Sequence, residues 1–594
     1  MNNNTLDPQL LKIINKIKEN ERNSVLESRE NQNEELVSVT AKVRDAELFF
    51  TLPGVYEGEN ITLAPDKKGH IVTAKVSITE IENINKSPVV LSLKGARQLK
   101  PLLIDTKREI NAPTPPFVNG ELGGAGIVIG IIDHGCDFVH TNFRNRHGET
   151  RLLYLWNQPK EKVYSKEDIN NVIFSDNPYE ELGYSIDAAS HGTHVMDIAA
   201  GDGGISDVTI SSGVAGLAPR ADIIFVEAAY WDYEERKSNF GDSRDLLRAI
   251  KFIFDQAGDQ PCVVNISLGT NGGPHDGTTH VEQGIDGLVI ERPNRAVVIA
   301  AGNAYEDNIH ATGSVSEGEY VELYWKNESD DPTENELELW YDGADELRLE
   351  IFSPEGERIG GLELGGEPIN KTNIFATHIL DNSNNNNQID ITIVPSQNSE
   401  IWKILLHGIK VNNGKFHAWI ERDNFMPDAI NYGQSSFATS NDNTHTLGSI
   451  CCGQYSIVVG SYDAKSIGTP ISEFSSAGPT RDGKYKPEIS APGHNVAAAA
   501  SLSDNSVIMS GTSMAAPAVT GVIALMLAEA KAHNLSLSIE QIRNILKETA
   551  RHTLENQTGW DNRYGYGRID AKAAIERVKS IVEENRTRNL PHSR

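Results

Sequence analysis

Three short blocks of the sequence each carry a side chain that nucleophilic catalysis uses. Asp133 ends the apolar run GIVIGIID, His191 opens HGTHVMDIAAG, and Ser513 lies in GTSMAAPAVTGVIALM. A serine hydroxyl of ordinary pKa is a poor nucleophile, so it needs a base within hydrogen-bond distance. That base in turn needs a third group to fix its tautomer. The three side chains can fill these roles if the fold brings them together.

Asp133 is followed directly by a second imidazole, that of His134, which raises the alternative of an adjacent acid–base pair. Neighbouring residues on an extended strand point to opposite faces, so the Asp133 carboxylate cannot easily reach the next ring. We therefore predict His191 as the base. We expect His134 on the other face of the strand end, where replacement by serine leaves activity intact.

The elements that must position these side chains form an α/β pattern. Short apolar runs such as CVVNISLG and AVVIAAGN alternate with helical segments such as LLRAIKFIFDQA, as a parallel sheet buried on both faces requires. Asp133 ends a strand, and open sheets of this kind place their sites at that edge. Ser513 opens a long helix whose positive end would stabilise an oxyanion, and Asn303 offers an amide donor.

The chain divides further around this pattern. Residues 1–112 read as a small α+β domain with a leading helix from Asp7, a strand-helix-strand unit and a capping box of Ser77 and Glu80. The α/β pattern fills 113–312 and 425–580, and 581–594 is a polar tail. Between its halves, 313–424 alternates like an antiparallel β-sandwich. We predict four tryptophans in the sandwich core: Trp325, Trp340, Trp402 and Trp419.

The blocks DxG, HGTHV, SLG, AAGN and GTSMAAP, in this order, resemble those of the subtilisin-like serine peptidases (subtilases). The order Asp, His, Ser separates them from chymotrypsin-type and α/β-hydrolase enzymes. The resemblance covers roughly 120–310 and 440–580. It implies a three-layer subtilisin-like domain with a parallel sheet, and an N-terminal domain similar to this family's propeptides. The insertion is similar to the jelly-roll insertions of large bacterial members, including the Csp-like spore-germination proteases.

Carried over block by block, the resemblance implies a serine endopeptidase that works through an acyl-enzyme. Asp133 would orient His191, His191 would be the general base and Ser513 the nucleophile. Asn303 and the Ser513 N–H would form the oxyanion hole. The resemblance assigns substrate binding to four further residues: Ser267, Leu268, Gly269 and Gly302. Its partners would be a protein or peptide substrate and its own N-terminal domain, as inhibitor or folding chaperone. No organic cofactor is required, and calcium is allowed by the family without a nameable ligand.

The composition limits the classes of partner and the location that we expect for this protein. The 594 residues hold 83 Asp plus Glu against 54 Lys plus Arg, a formal charge of −29, which disfavours nucleic acid or an anionic membrane as partner. The N-terminus has no apolar signal-peptide core and no segment is apolar enough to span a membrane, so we expect a cytoplasmic protein. Four cysteines predict free, buried thiols rather than a disulfide framework.

Several residues near these motifs have structural interpretations. We expect His194 to be a packed, hydrogen-bonded histidine, Asp137 to bind local backbone donors, and His310 to lie in a loop at the edge of the insertion. The acidic stretches DDPTEN and YDGADE are interpreted as solvated loops, with calcium binding as the alternative. Two other functions stay open: a catalytically silent relative that serves as a binding module, and a sandwich that docks partners.

Overall fold

The computed structural model describes residues 36–56, 60–61, 70–95, 103–113, 122–186, 191–203, 215–228, 230–232, 237–239, 243–329, 334–371, 373–396, 398–422, 433–503, 505–552 and 559–588. The chain forms two compact units, residues 1–100 and 101–594. The predicted boundary at 112 is therefore too late, because the helix over 103–109 belongs to the second unit. The helix predicted from Asp7 lies outside the described residues.

The N-terminal unit is an antiparallel sheet with two short helices. Its elements are β1 (Leu36–Val43), α1 (Ala46–Phe50), β2 (Val55–Tyr56), β3 (Asn60–Ile61), β4 (His70–Ser77), α2 (Ile81–Lys86) and β5 (Val90–Gly95). The strand order is β2-β4-β1-β5, with β3 also paired to β4. Alternate residues of β1 are buried against Phe49 and Ile81, so the period-2 pattern gives the sheet one apolar face.

The predicted strand-helix-strand unit is confirmed as β4-α2-β5, but its capping box is wrong. Ser77 is the last residue of β4, and its hydroxyl bonds to Thr79 Oγ1 at 2.9 Å. Glu80 is the N-cap of α2 and makes no side-chain capping bond. The helix starts three positions later than a capping box with Ser77 as its N-cap would require.

The second unit opens with the first half of a large α/β domain. Its elements are α3 (Leu103–Glu109), β6 (Val128–Asp133), β7 (Leu152–Asn157), β8 (Lys162–Ser165), α4 (Lys166–Val172), α5 (Pro178–Leu182), α6 (His191–Ala200), β9 (Asp222–Glu227), β10 (Tyr230–Asp232), β11 (Lys237–Asn239), α7 (Ser243–Ala257), β12 (Cys262–Ile266), α8 (His280–Ile290) and β13 (Arg295–Ala300). Strands β10 and β11 form a separate hairpin.

The insertion contains only strands within its described residues. They are β14 (His310–Ser314), β15 (Tyr320–Asn327), β16 (Asn335–Asp342), β17 (Glu346–Phe352), β18 (Arg358–Leu362), β19 (Ile369–Lys371), β20 (Ile374–Asp381), β21 (Asn386–Ile393), β22 (Glu400–Lys410), β23 (Lys415–Ile420) and β24 (Ser436–Thr439). They form two antiparallel sheets, ordered β14-β23-β16-β21-β20-β19 and β18-β17-β22-β15-β24. Both sheets share one core that includes all four predicted tryptophans, so a β-sandwich is confirmed; its jelly-roll topology stays a prediction.

The insertion is longer than predicted at both ends. His310 is the first residue of β14, fully buried, and pairs with Trp419, so its interpretation as a loop residue is wrong. At the other end β24 pairs with β15 and reaches Thr439. The sandwich thus runs over 310–439 rather than 313–424. Both short strands lack a strong alternating pattern, and their position depends on partners far away in the chain.

The α/β domain then resumes with β25 (Ile457–Tyr462), β26 (Ile489–Pro492), β27 (Val496–Ala499), β28 (Ser506–Met509), α9 (Thr512–Ala532), α10 (Ile539–Thr549) and α11 (Ala571–Arg588). The large sheet has the order β26-β25-β13-β12-β6-β9-β7-β8. Its neighbours are parallel except β8, which runs antiparallel to β7, so the predicted parallel sheet has a mixed edge. Helix α11 extends to Arg588, and the predicted tail from 581 therefore begins as helix.

Helices cover the sheet in two groups and complete the α/β domain. Helix α9 contacts β12, β13, β25 and β26, while α7 and α8 contact β6, β12 and β13. By length and composition α9 alone among the described helices could span a bilayer, but 89% of its apolar window is buried inside the fold. It is a core helix. The four cysteines are buried free thiols, as predicted.

Candidate active site

Asp133 and His191 come together at the carboxyl end of β6. Asp133 is the last residue of that strand and is fully buried, and His191 is the first residue of α6. Asp133 Oδ1 lies 2.7 Å from His191 Nδ1 and also accepts the His134 N–H at 2.8 Å. The bond to a carboxylate places the His191 proton on Nδ1 and leaves Nε2 with a lone pair, as a general base requires.

The Asp133 carboxyl is held in its ionised form. Burial alone would raise its pKa, but the charge of His191 and the hydrogen bonds from His134 and His191 outweigh burial and bring the pKa well below its usual range. A carboxylate beside the Nδ1–H also stabilises the imidazolium that forms when His191 takes a proton. The pair is therefore suited to shuttle a proton at neutral pH.

His134 does not lie on the opposite face, contrary to the prediction. Its ring stacks on that of His191 with centroids 5.2 Å apart and planes 8° apart, and its Nδ1 is 3.3 Å from Asp133 Oδ1. The strand ends at Asp133, and Gly135 with φ +73° turns the chain back, so strand alternation stops applying one residue earlier than assumed. The His134 ring therefore packs against one side of the Asp133–His191 pair.

Ser513 is the second residue of α9, directly after the Gly511 N-cap and Thr512. Helices α6 and α9 pack against each other. Ser513 contacts Ser267, directly after β12, and β12 pairs in parallel with β6, so Ser513 lies at the same sheet edge as Asp133. The Ser513 hydroxyl donates to the Ser267 carbonyl at 3.3 Å and, among the described atoms, makes no hydrogen bond to His191. Apo geometries of nucleophiles are often loose, and rotation about χ1 changes the partner. The complete triad stays a prediction.

Thr512 holds the Asn303 side chain in an orientation that leaves the Nδ2 amide group available to a ligand. Its Oδ1 accepts both the Thr512 N–H and the Thr512 hydroxyl, each at 2.9 Å. Thr512 Oγ1 in turn accepts the Gly302 N–H at 3.1 Å. Because the oxygen is saturated by donors, the Nδ2 group must point the other way, as an oxyanion donor should. No role for Thr512 was predicted from the sequence, where its place between the turn glycine and Ser513 was the only indication.

Asn303→Ala should lower kcat on a fluorogenic peptide by about 10²- to 10³-fold with little change in KM, because the donor acts on charge that develops in the transition state. Thr512→Val keeps the shape but removes the hydroxyl that orients the amide, and should lower kcat less. Thr512→Ser, which keeps that hydroxyl, is the matched control and should resemble wild type. A rise in KM alone for Asn303→Ala would assign the residue to ground-state binding instead.

The predicted substrate-binding residues lie around this centre. Strand β12 ends at Ile266, and 267–269 continue beyond it without strand pairing. Ser267 Oγ donates to the Ser513 carbonyl at 3.1 Å, which ties this segment to α9. Gly269 is exposed and a Cβ there would meet no atom within 4 Å, whereas Gly302 has φ +104°. The geometry leaves an open backbone edge next to Ser513; the binding roles stay predictions.

A buried carboxyl that the sequence did not reveal holds the turn after Asp133. Glu227 ends β9, beside β6, and its Oε2 accepts the Gly135 N–H at 2.7 Å and the Tyr184 hydroxyl at 2.6 Å. Burial raises the pKa of Glu227 to about 7, against the effect of these two hydrogen bonds. The feature that could have indicated Glu227 is an acidic residue at the end of a strand, on the same sheet edge as Asp133.

Two structural interpretations are confirmed. His194 Nε2 lies 3.1 Å from the carbonyls of Val496 and Val507, and burial lowers its pKa to about 4, so it is a neutral packing residue. Asp137 accepts the Val139 N–H at 3.1 Å, as expected for a local acceptor. It also accepts the Leu502 N–H at 2.8 Å, a distant contact that the sequence could not show.

The acidic stretch YDGADE forms a turn in which Asp342 and Glu346 are exposed, as interpreted, but its third acid is not solvated. Asp345 is fully buried and accepts three backbone N–H groups, those of Asn412, Asn413 and Gly414. Its oxygens are thus used by the turn between β22 and β23. DDPTEN lies partly outside the described residues. Calcium binding stays without a nameable ligand.

The inserted sandwich contacts the loop that follows Gly269. Glu421, just after β23, accepts the Asn271 N–H through Oε1 at 2.8 Å and the Gly272 N–H through Oε2 at 2.9 Å. Trp419, two residues earlier on β23, stacks on His275 with centroids 4.1 Å apart. Residues two apart on a strand share a face, so this face of β23 is directed at loop 270–276.

The chain is similar to known proteins in sequence and in structure. The subtilase family model matches residues 124–330 and 421–567. The solved structure of the Clostridium perfringens CspB protease superposes with a TM-score of 0.70 at 26% identity, covering 83% of this chain and 99% of that one. Bacillopeptidase F of Bacillus subtilis is 37% identical over 118 residues, 19% of this chain and 8% of that protein. The PIII-type proteinase of Lactococcus lactis is 23% identical over 601 residues, 88% of this chain and 29% of that protein.

The fold and the site together define a class: an α/β domain with an acid–histidine pair at one sheet edge and a serine at the start of its central helix. The chain belongs to the subtilase family. It spans only a small part of the length of bacillopeptidase F and less than a third of the PIII-type proteinase, whereas it covers nearly the whole CspB structure.

Proposed function

We propose that the protein is a serine endopeptidase that cleaves peptide bonds through Asp133, His191 and Ser513. The observation that carries the proposal is the 2.7 Å contact between buried Asp133 and His191 beside the start of α9, where Ser513 lies. Membership of the subtilase family supports the same chemistry. Intact Asn303, with its amide donor oriented by Thr512, argues against a catalytically silent relative.

The proposed reaction has two halves. Ser513 Oγ attacks the peptide carbonyl carbon while His191 Nε2 takes its proton, and the carbonyl oxygen becomes an oxyanion held by Asn303 Nδ2 and the Ser513 N–H. That N–H lies in the first turn of α9, where no carbonyl precedes it for an intrahelical bond. The C–N bond then breaks, and His191 gives the proton to the leaving amine. Water, deprotonated by His191, releases the acyl group from Ser513 by the reverse path.

A fluorophosphonate probe tests this proposal directly, because it labels only an activated serine. Wild type should gain one adduct, located on Ser513 by peptide mass spectrometry, and Ser513→Ala should gain none. A wild-type protein that is folded by circular dichroism yet stays unlabelled would favour the silent relative. Intact mass measured in the same experiment also reports the N-terminus of the purified chain.

The N-terminal unit belongs to the proposal as an intramolecular inhibitor or folding chaperone, on the resemblance of its strand-helix-strand unit to subtilase propeptides. Cleavage in the segment between residues 110 and 125 would separate it, together with α3, from the rest of the chain. We therefore expect wild type to start near these residues after incubation and Ser513→Ala to keep Met1. The proposed reaction uses no organic cofactor.

We further propose that the sandwich positions the substrate-binding segment, on the basis of the two N–H groups that Glu421 accepts. Glu421→Gln leaves at least one buried N–H facing an amide donor, and should lower kcat/KM on an extended peptide by about tenfold. The kcat/KM for a small ester, which does not reach this segment, should change little. Glu355→Gln, at an exposed sandwich turn, is the control. Equal losses on both substrates would point to a general disturbance of the site instead.

A further inference from the structure

Three histidines meet where the sandwich joins the α/β domain. His310 begins β14, His417 lies on the neighbouring strand β23, and His445 follows β24. One ring nitrogen from each lies within 4.8 Å of the other two. His310 is fully buried, His417 nearly so, and His445 is half-buried, which gives the cluster an edge open to solvent.

The ring of His310 is oriented as a histidine ligand in a metal site is. His310 Nδ1 lies 2.9 Å from the Asp442 carbonyl, so Nδ1 carries the proton and Nε2 directs its lone pair inward. Metal-binding histidines commonly donate their second N–H to a backbone carbonyl in this way. His310 Nε2 is 3.0 Å from His417 Nδ1. Two nitrogens on one tetrahedral Zn²⁺ would be about 3.3 Å apart, given Zn–N bonds of about 2.05 Å.

Without a metal, the Nδ1–H of His417 donates to His310 Nε2, and Zn²⁺ would replace this proton. His417 Nε2 is buried and has no hydrogen-bond partner among the described residues. His445 Nδ1 lies 2.6 Å from Thr444 Oγ1, which leaves its Nε2 as the ligand atom.

We propose that His310, His417 and His445 form a three-imidazole site for Zn²⁺ that fastens the sandwich to the α/β domain. An all-nitrogen set suits Zn²⁺ and excludes Ca²⁺ and Mg²⁺, which prefer oxygen. His445, the half-buried member, would move inward by a small rotation, and solvent would supply the fourth ligand. This site is separate from the proposed peptidase centre and does not depend on its activity.

A metal at this position would affect more than the stability of the three histidines that bind it. His417, Trp419 and Glu421 alternate along one face of β23 and its end, and the latter two contact loop 270–276. A metal on His417 would restrain the whole strand, and with it the carboxylate that holds the Asn271 and Gly272 N–H groups. Zn²⁺ would thus stabilise the substrate-side loop from outside the catalytic centre.

The test uses the full chain with Ser513→Ala, so that self-cleavage cannot interfere. After EDTA treatment and gel filtration, added Zn²⁺ should be retained at about one ion per chain and raise the unfolding temperature by about 5 °C at a hundredfold excess over its Kd. Co²⁺ in its place should give the visible absorption of an imidazole-bound, low-coordinate ion. His417→Gln and His445→Gln should each abolish these effects.

The controls separate this site from other histidines. His407→Gln removes a half-buried sandwich histidine bound to Glu350, and should bind Zn²⁺ like the parent. Zn²⁺ held by Asp133, His134 and His191, whose ligand atoms also lie within 4.8 Å, would survive the His417 substitution and would overturn the proposal. If both variants unfold, modification of the parent by diethylpyrocarbonate decides: Zn²⁺ should protect His445, and equal modification with and without Zn²⁺ would also overturn it.

Discussion

Ser513→Ala should lower the turnover of a fluorogenic peptide by about 10⁶-fold, the scale that loss of the nucleophile has in subtilisin. The variant loses the only atom proposed to form the acyl-enzyme, while the helix start and the Asn303 amide remain in place. Residual hydrolysis of about 10³- to 10⁴-fold over water should persist from binding and the oxyanion hole. The measurement is kcat under saturating substrate, with binding of a product peptide showing that the site still forms.

Ser506 provides a matched control for this substitution, because it is an exposed serine at the start of β28, a few residues before α9. Ser506→Ala should keep wild-type turnover and wild-type probe labelling. Turnover by Ser513→Ala within tenfold of wild type would remove Ser513 as the nucleophile. The Ser513→Ala protein should unfold at nearly the wild-type temperature, since within the described part of the chain the half-buried Ser513 hydroxyl makes one long bond, to the Ser267 carbonyl.

Local sequence patterns predicted the helices and strands of the site, because the side chains proposed for catalysis lie at the first or last residues of these elements. Asp133 is the last residue of an unbroken apolar strand. Ser513 lies at the start of a helix whose long apolar run is typical of a core helix. The position of His134 could not be predicted in this way. It depends on where β6 stops relative to Gly135, and strand ends are set by pairing with β9 and β12 rather than by the residue itself.

The junction between the sandwich and the α/β domain was the least predictable part. His310 and His445 lie in short segments without periodicity. The burial of His310 follows from pairing with β23, more than a hundred residues later, and the His445 carbonyl accepts the Trp419 Nε1–H of the same strand at 2.8 Å. Glu421 likewise has no local signal, since its two N–H partners lie about 150 residues earlier in the chain. The sandwich core was predictable because its tryptophans alternate with polar residues on long strands.

Asp133→Ala should lower kcat by about 10⁴-fold, less than loss of Ser513, because His191 remains but loses its tautomer control and its counter-charge. His134→Ser keeps the His134 N–H bond to Asp133 but removes the ring that stacks on His191, and should lower kcat much less than Asp133→Ala does. The pKa of Asp133 is lower in the folded chain than in the unfolded one, so the carboxylate contributes stability above about pH 4 that is lost as the pH falls further. The difference in unfolding free energy between wild type and the variant should shrink accordingly on acidification.

The Asp133→Asn variant separates the effect of the negative charge of Asp133 from its effect on the orientation of His191. Oδ1 accepts both the His134 N–H and the His191 Nδ1–H, whereas Oδ2 has no hydrogen-bond partner among the described residues. The His134 N–H should therefore keep an asparagine oxygen in the Oδ1 position, because the flipped amide would set two donors against each other. His191 would keep its productive tautomer and lose only the neighbouring charge, so kcat should fall less than in Asp133→Ala. An equal fall in both variants would show that the negative charge, rather than the tautomer, is what Asp133 contributes.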